Sequence, residues 1–136
     1  MSFVVDASVA LTWVFIDETT VASEALLDQA AEEGTSVPGI WRLEVANALR
    51  SAVRRKRITS DYRSVALAKL SALPILTDLE TDARAWGAIA DLSARFDITP
   101  YDAAYLELAH RKGLPLATND IALGNAARQL GVAVAA

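Results

Sequence analysis

Four acids stand where a carboxylate has a use beyond solubility. Asp6 closes the apolar run Phe3-Val4-Val5 and opens Ala7-Ser8-Val9-Ala10-Leu11-Thr12-Trp13-Val14, which has helical spacing. Asp120 ends the stretch Leu114-Pro115-Leu116-Ala117-Thr118-Asn119-Asp120. Glu44 lies just inside the helical segment Trp41-Arg42-Leu43-Glu44-Val45-Ala46-Asn47-Ala48-Leu49-Arg50, and Asp102 just inside Thr99-Pro100-Tyr101-Asp102-Ala103-Ala104-Tyr105-Leu106-Glu107-Leu108-Ala109. Each acid alone has an ordinary role. Asp6 and Asp120 suit helix caps, Glu44 suits an ion pair with Arg42 or Arg50, and Asp102 is favoured in a first turn after the Thr99 cap and Pro100. One detail resists this for Asp102. It shares a face with Tyr105, Leu106 and Ala109, at i, i+3, i+4 and i+7, and that face is otherwise largely apolar. A carboxylate looking the same way as a core stripe is costly unless it meets a cation or donors. Glu44 likewise borders the apolar side marked by Ile40, Trp41, Val45, Ala48 and Ala52.

The elements that must position these acids read as alternating strands and helices. Strands are expected at Phe3–Val5, Thr35–Pro38, Leu73–Leu76, Leu114–Ala117 and Val132–Val134. Helices are expected from Ala7 to Val14, from Val21 to about Glu33 with Gly34 as the stop, and from Trp41 to about Arg55. Four more are expected: Tyr62 to about Leu70, Thr81 to about Phe96, Thr99 to Gly113, and Ile121 to about Leu130. The pattern predicts one domain, residues 1–136, with a three-layer α/β fold: a short five-stranded parallel sheet flanked by about seven helices. In such a fold ligands sit beyond the C-terminal ends of the strands, at the switch in strand order. Asp6 and Asp120 each close a strand, and helices returning to a parallel sheet begin at that same edge, where Glu44 and Asp102 lie. With strands 1 and 4 as neighbours, all four acids converge. Unneutralised, they repel and raise one another's pKa values. A hard divalent cation resolves the conflict, because Mg2+ or Mn2+ takes oxygen ligands and keeps several waters. Such an ion polarises a phosphate and lowers the pKa of a bound water, so phosphodiester hydrolysis in RNA or DNA is the natural reaction.

The segments VVDASVAL, WRLEVANAL, TPYDAAYLELA and LATND, in this order and spacing, resemble a PIN domain. Within that family the compact length resembles a VapC-type toxin of a bacterial or archaeal toxin–antitoxin pair. The resemblance covers essentially the whole chain. Residue by residue, it places the family's acids on Asp6, Glu44, Asp102 and Asp120, and matches Ser8, Asn47 and Thr118 to polar positions that line or support the site. It implies a Mg2+- or Mn2+-dependent endoribonuclease, a structured or translation-related RNA target, homodimerisation, and inhibition by a small antitoxin. One departure follows Asp120, where Ile121-Ala122-Leu123 supplies no further acid or aromatic residue.

The totals narrow the alternatives. The chain has 136 residues, 53% of them hydrophobic, and its mean hydropathy is +0.26. That surplus points to a covered partner surface. No apolar run approaches the roughly 18 residues of a membrane span. The N-terminus lacks a basic region and Asp6 interrupts its apolar stretch, against a signal peptide. The chain has no cysteine, so it has no disulfide framework and no thiolate metal site; a cytoplasmic location is the simplest expectation. A net charge of −4 argues against a general nucleic-acid coat protein, so any nucleic-acid contact is local or depends on bound cations. The one dense basic run, Arg54-Arg55-Lys56-Arg57, supplies RNA-contact candidates in Arg54, Arg55 and Lys56; its ordinary reading is a solvated helix end. His110 reads as a favourable cation at a helix C-terminus, and Trp13, Trp41 and Trp86 as core or interface. Two rivals remain. A phosphotransfer domain needs a second acid close after Asp6 and a late lysine, but Ala7-Ser8 follow Asp6 and no lysine follows Lys112. A non-catalytic RNA- or protein-binding module on the same fold is expected to have lost an acid, and none is lost.

Overall fold

The computed structural model describes residues 2–135. Strand β1 (Phe3–Val5) runs into helix α1 (Ala7–Thr12), a 3-10 turn (Ile16–Glu18) and α2 (Val21–Glu33). Then come β2 (Thr35–Val37), α3 (Trp41–Arg54), α4 (Ser60–Ser71) and β3 (Ile75–Thr77). Helix α5 (Thr81–Arg84), a π-helical segment (Ala85–Ile89) and α6 (Ala90–Phe96) lead to α7 (Pro100–Lys112). Strand β4 (Leu116–Ala117), α8 (Ile121–Gln129) and β5 (Val134–Ala135) complete the chain. The five strands form one parallel sheet in the order β3-β2-β1-β4-β5. Counting the broken run from Thr81 to Phe96 as one, seven helices flank the sheet, as the alternating pattern predicts.

The sheet is made by its centre. All three residues of β1 are buried, because helices cover both faces of a parallel sheet. Val4 stands opposite Leu116 and Val5 opposite Ala117, so β1 and β4 are direct neighbours. From β1 the chain moves outward through β2 and β3 on one side, and through β4 and β5 on the other. The switch in strand order therefore falls between β1 and β4, with Asp6 immediately beyond the end of β1.

Several boundaries differ from the sequence expectation, each for a local reason. β3 and β4 begin one residue after Pro74 and Pro115, which have no N–H to give to a ladder. β5 is Val134–Ala135 rather than Val132–Val134. Helix α1 stops at Thr12, whose hydroxyl turns back onto the Val9 carbonyl at 2.6 Å, and a 3-10 turn follows that the spacing does not signal. The helix expected to run unbroken from Thr81 is interrupted at Gly87, which sits at φ −104° and ψ −106°; glycine is the residue least held to helical angles. Trp13 and Trp41 are core residues, whereas Trp86, on the π-helical segment, is 97% exposed. Gly34 ends α2 at φ +79°, a conformation open to glycine, and an added Cβ would lie 3.0 Å from the Pro74 carbonyl oxygen.

Helix α7 is the central helix. Seven consecutive residues, Ala103 to Ala109, are buried, so the helix is enclosed on all sides rather than along one stripe. Glu107 falls within that run, and it is only 5% exposed. Arg111 one turn later donates to it at 2.8 Å, and Arg84 approaches at 3.4 Å. Arg111 also binds Asp78 at 2.6 Å and Glu80 at 3.1 Å, so one guanidinium joins α7 to the segment after β3. Removing one partner of a buried ion pair leaves the others desolvated and uncompensated. Arg111→Met should therefore destabilise the fold by about 3 kcal/mol, as urea unfolding at neutral pH would measure.

Candidate active site

The four acids come from four separate segments, and Asp120, Glu44 and Asp6 each act electrostatically on Asp102. Asp6 caps α1 and Asp120 caps α8, while Glu44 and Asp102 occupy the first turns of α3 and α7. Their exposure is graded: Asp6 is buried, Glu44 and Asp102 are half-buried, and Asp120 is exposed.

Asp6 is fully furnished with donors. The Ser8 hydroxyl donates to Oδ1 at 2.7 Å and the Val9 N–H at 3.0 Å, while the Thr118 hydroxyl donates to Oδ2 at 2.5 Å. Both hydroxyls also accept. Ser8 Oγ takes the Asn119 N–H, and Thr118 Oγ1 takes the Asp120 N–H, each at 3.0 Å. Two hydroxyls thus stitch the β1–α1 junction to the β4–α8 junction. Burial still lifts the Asp6 carboxyl above the usual carboxylate range, against these three hydrogen bonds, and Asp120 pushes it the same way.

Asp102 records the field of the whole group. Its carboxyl is raised to about 6, first by burial and then by Asp120, Glu44 and Asp6, while a hydrogen bond with Thr99 opposes the shift. Three like charges from three other elements are felt at one carboxylate. Among the described residues no Lys, Arg or His forms an ion pair with any of the four acids; the ion pairs lie elsewhere, on Arg57, Arg84 and Arg111.

Glu44 is held by a residue that the spacing did not tie to it. The buried Tyr105 hydroxyl donates to Glu44 Oε1. Burial, then the contact with Glu44, then the nearby acids keep that phenol protonated, well above its ordinary range. The signal in the sequence was Tyr105's place one turn after Asp102 on the same face; its partner is 61 positions away and could not be read. Neither cation proposed for Glu44 reaches it, and Arg42 instead donates to the Thr77 hydroxyl at 2.5 Å. Asn47 is exposed and makes no hydrogen bond with Glu44. Arg54, Arg55 and Lys56 are exposed at the far end of α3, ten residues on from Glu44 and hence about 15 Å along the helix. Their neighbour Arg57 is committed elsewhere, to Asp17 and Glu18 at 2.9 and 2.6 Å and over the Phe15 ring.

A hard cation meets suitable chemistry here, since every donor is an oxygen and, among the described residues, none of the four acids is ion-paired. Glu44 Oε2 and Asp120 Oδ2 accept no hydrogen bond among the described residues, where Oδ1 of Asp120 is taken by the Leu123 N–H at 2.8 Å. Among those residues, no three acidic or imidazole groups already close on a single point.

The PIN domain family model matches residues 3–129. The chain belongs to the PIN domain family. No curated protein matches it significantly. Among solved structures, PAE2754 from Pyrobaculum aerophilum is 25% identical with a TM-score of 0.71, covering 98% of this chain and 83% of its own. VapBC2 from Rickettsia felis, solved bound to a DNA fragment from their promoter, is 13% identical with a TM-score of 0.68, covering 98% and 97%. FitAcB from Neisseria gonorrhoeae is 17% identical with a TM-score of 0.64, covering 100% and 97%. The last two share the PIN fold at identities where fold alone is informative. As a PIN domain, the chain has its acids gathered at the switch point of the sheet.

The Asp102 carboxyl gives this PIN domain a pH dependence. Its folded value is about 6, against about 3.9 unfolded. Between those values the folded state binds more protons than the unfolded state, so this group lowers metal-free stability as pH rises from about 4 to about 6, and no further above that. Asp102→Asn lacks the titration and forfeits only about 0.3–1 kcal/mol of helix-dipole interaction. In chelator the variant should melt at or above the parent temperature at about pH 7, and lose that advantage near pH 4. Thermal unfolding across this range checks the convergence; a difference independent of pH contradicts it.

Proposed function

We propose that this PIN domain is a Mg2+- or Mn2+-dependent endoribonuclease of the VapC toxin type, hydrolysing RNA phosphodiester bonds and neutralised by a cognate antitoxin. PIN domains are in general nucleases, and that breadth comes with membership of the family. The observation that carries the finer reading is geometric: Asp6 and Asp120 cap the helices after the neighbouring strands β1 and β4, Glu44 and Asp102 stand in the first turns of α3 and α7, and among the described residues no Lys, Arg or His is ion-paired with any of them. In this reading Asp6, Glu44, Asp102 and Asp120 hold the ion. When bound, the ion supplies charge neutralisation at the scissile phosphate and a more acidic water.

The chain's own residues do the rest. Ser8 and Thr118 keep the buried Asp6 carboxylate in one orientation through three donated hydrogen bonds shared with Val9. A carboxylate of the four not engaged with the ion orients the attacking water or takes its proton. Arg54, Arg55 and Lys56, exposed at the C-terminal end of α3, hold the phosphate backbone of RNA away from the cut.

The partners follow from the surface. Leu79 and Trp86 are 91% and 97% exposed, and such side chains support a homodimer that covers them. An apolar groove between the Ile16–Glu18 turn and the start of α4, lined by Val14, Phe15, Ile16, Ile58 and Tyr62, suits an antitoxin segment. VapBC2 was solved on promoter DNA, which supports an antitoxin that also binds DNA. No helix among the described residues is long and apolar enough to cross a membrane, and we assign the protein to the cytoplasm, where its RNA would be.

RNA cleavage under controlled metal tests the reading. Asp6→Asn, Glu44→Gln, Asp102→Asn and Asp120→Asn should each slow cleavage by at least about a hundredfold. Chelator should abolish activity and Mn2+ should restore it. Full cleavage in chelator with metal-free reagents excludes the mechanism, and RNA binding without cleavage at any metal concentration leaves a non-catalytic module. A separate arm addresses the basic run. Reversal of Arg54, Arg55 and Lys56 to Glu should weaken RNA binding and flatten its salt dependence while leaving Mn2+ affinity unchanged.

A further inference from the structure

We propose that Tyr105 is a positioning residue for Glu44: its hydroxyl holds Oε1 and so leaves Oε2 as the oxygen offered to a cation or to the water beside it. The inference rests on the metal-dependent nuclease reading above.

The four acids are anchored differently. Asp6 and Asp120 are helix caps, and the N–H groups of Val9 and Leu123 fix their carboxylates locally. Asp102 has Thr99 beside it at the same helix start. Glu44 has no local anchor. The residue that caps α3 is Ile40, which has no side-chain hydrogen bond to give, and Glu44 carries one more rotatable bond than an aspartate. A half-buried glutamate at a helix start, left alone, turns to water and loses less conformational freedom there. Nearby polar groups are engaged elsewhere. Ser8 and Thr118 serve Asp6, and Arg42 serves Thr77. The Tyr105 hydroxyl is the one hydrogen-bond partner of the Glu44 carboxylate among the described residues.

Tyr105 is suited to the task because it cannot move. It is 1% exposed and lies in the enclosed stretch of α7, which follows directly on Asp102. A phenol has a single proton, and here that proton is directed at one glutamate oxygen. One rigid helix therefore sets two of the four acids: Asp102 directly, and Glu44 across a hydrogen bond to α3. Partners of ligating carboxylates commonly govern metal affinity in this way.

Tyr105→Phe keeps the ring and removes only the hydroxyl. Isothermal titration of Mn2+ into the RNA-free protein, well below the melting temperature, reads the effect without relying on catalysis. The Mn2+ dissociation constant should rise about tenfold. The same substitution in a Glu44→Gln background should cause no further rise, because the carboxylate it positions is gone. The melting temperature in chelator accompanies each titration. Equal Mn2+ affinity in parent and Tyr105→Phe overturns the proposal, including the case where only the melting temperature falls. An undiminished effect in the Glu44→Gln background also overturns it, since the hydroxyl would then act by another route. A parent that binds no Mn2+ at millimolar concentrations overturns the metal reading itself, and the positioning role with it.

Discussion

The adjacency of β1 and β4 is the constraint on which the rest depends. It brings Asp6, which caps α1, beside Thr118 and Asp120, which open α8, and two hydroxyls lock the junctions together. Once that edge carries two carboxylates, each further acid added to it meets a field of its own sign. Asp102, on the first turn of α7, has its carboxyl raised to about 6, first by burial and then by that field. The gathering is a local conflict between folding and electrostatics, and such conflicts mark functional sites.

How the fold tolerates the conflict is visible in the graded burial of the acids. Asp6, the most buried, has three donated hydrogen bonds. Asp120 faces solvent, where water screens it, and is also held by the Leu123 N–H. Glu44 and Asp102 lie between, with one hydroxyl partner each, in Tyr105 and Thr99. Donor supply thus follows desolvation. Away from the acids, α7 is packed on all sides. Its residues from Ala103 to Ala109 are all buried, with Glu107 neutralised by Arg111 and Arg84.

How much of this was legible in the sequence depended on the range of each interaction. The strand–acid–helix pattern at Asp6 and the Thr99-Pro100 start before Asp102 are signals of a few residues, and they located both acids correctly. The β1–β4 pairing was an assumption in the sequence, and the register of Val4 with Leu116 made it a fact. Tyr105 and Glu107 were both visible on α7 but unreadable. Tyr105's partner is 61 residues away, and Glu107's second cation, Arg84, comes from a helix whose interruption at Gly87 the pattern did not reveal. Trp86 divides the expectation of core or interface that it shared with Trp13 and Trp41. Its apolar neighbours and helical spacing resembled those of Trp13 and Trp41, yet it is solvent-exposed on the π-helical segment. Periodicity reports which residues share a face only while the helix keeps its period.

The enclosed helix also explains why the acids belong to a shared geometry rather than to four independent loops. Asp102 and Tyr105 are on one helix that is packed on every side, so their separation is fixed by the helix itself. Tyr105 reaches α3 at Glu44, and the sheet fixes the distance from α7 to Asp6 and Asp120 through β1 and β4. A rigid helix and a two-strand pairing are therefore enough to relate all four carboxylates. Arg111, though distant from the acids, belongs to the same chain of dependence. Through Glu107 and Asp78 it ties α7 to the segment after β3. Loosening α7 there would shift Asp102 and Tyr105 together, so the buried ion pair and the acid cluster are parts of one mechanical unit.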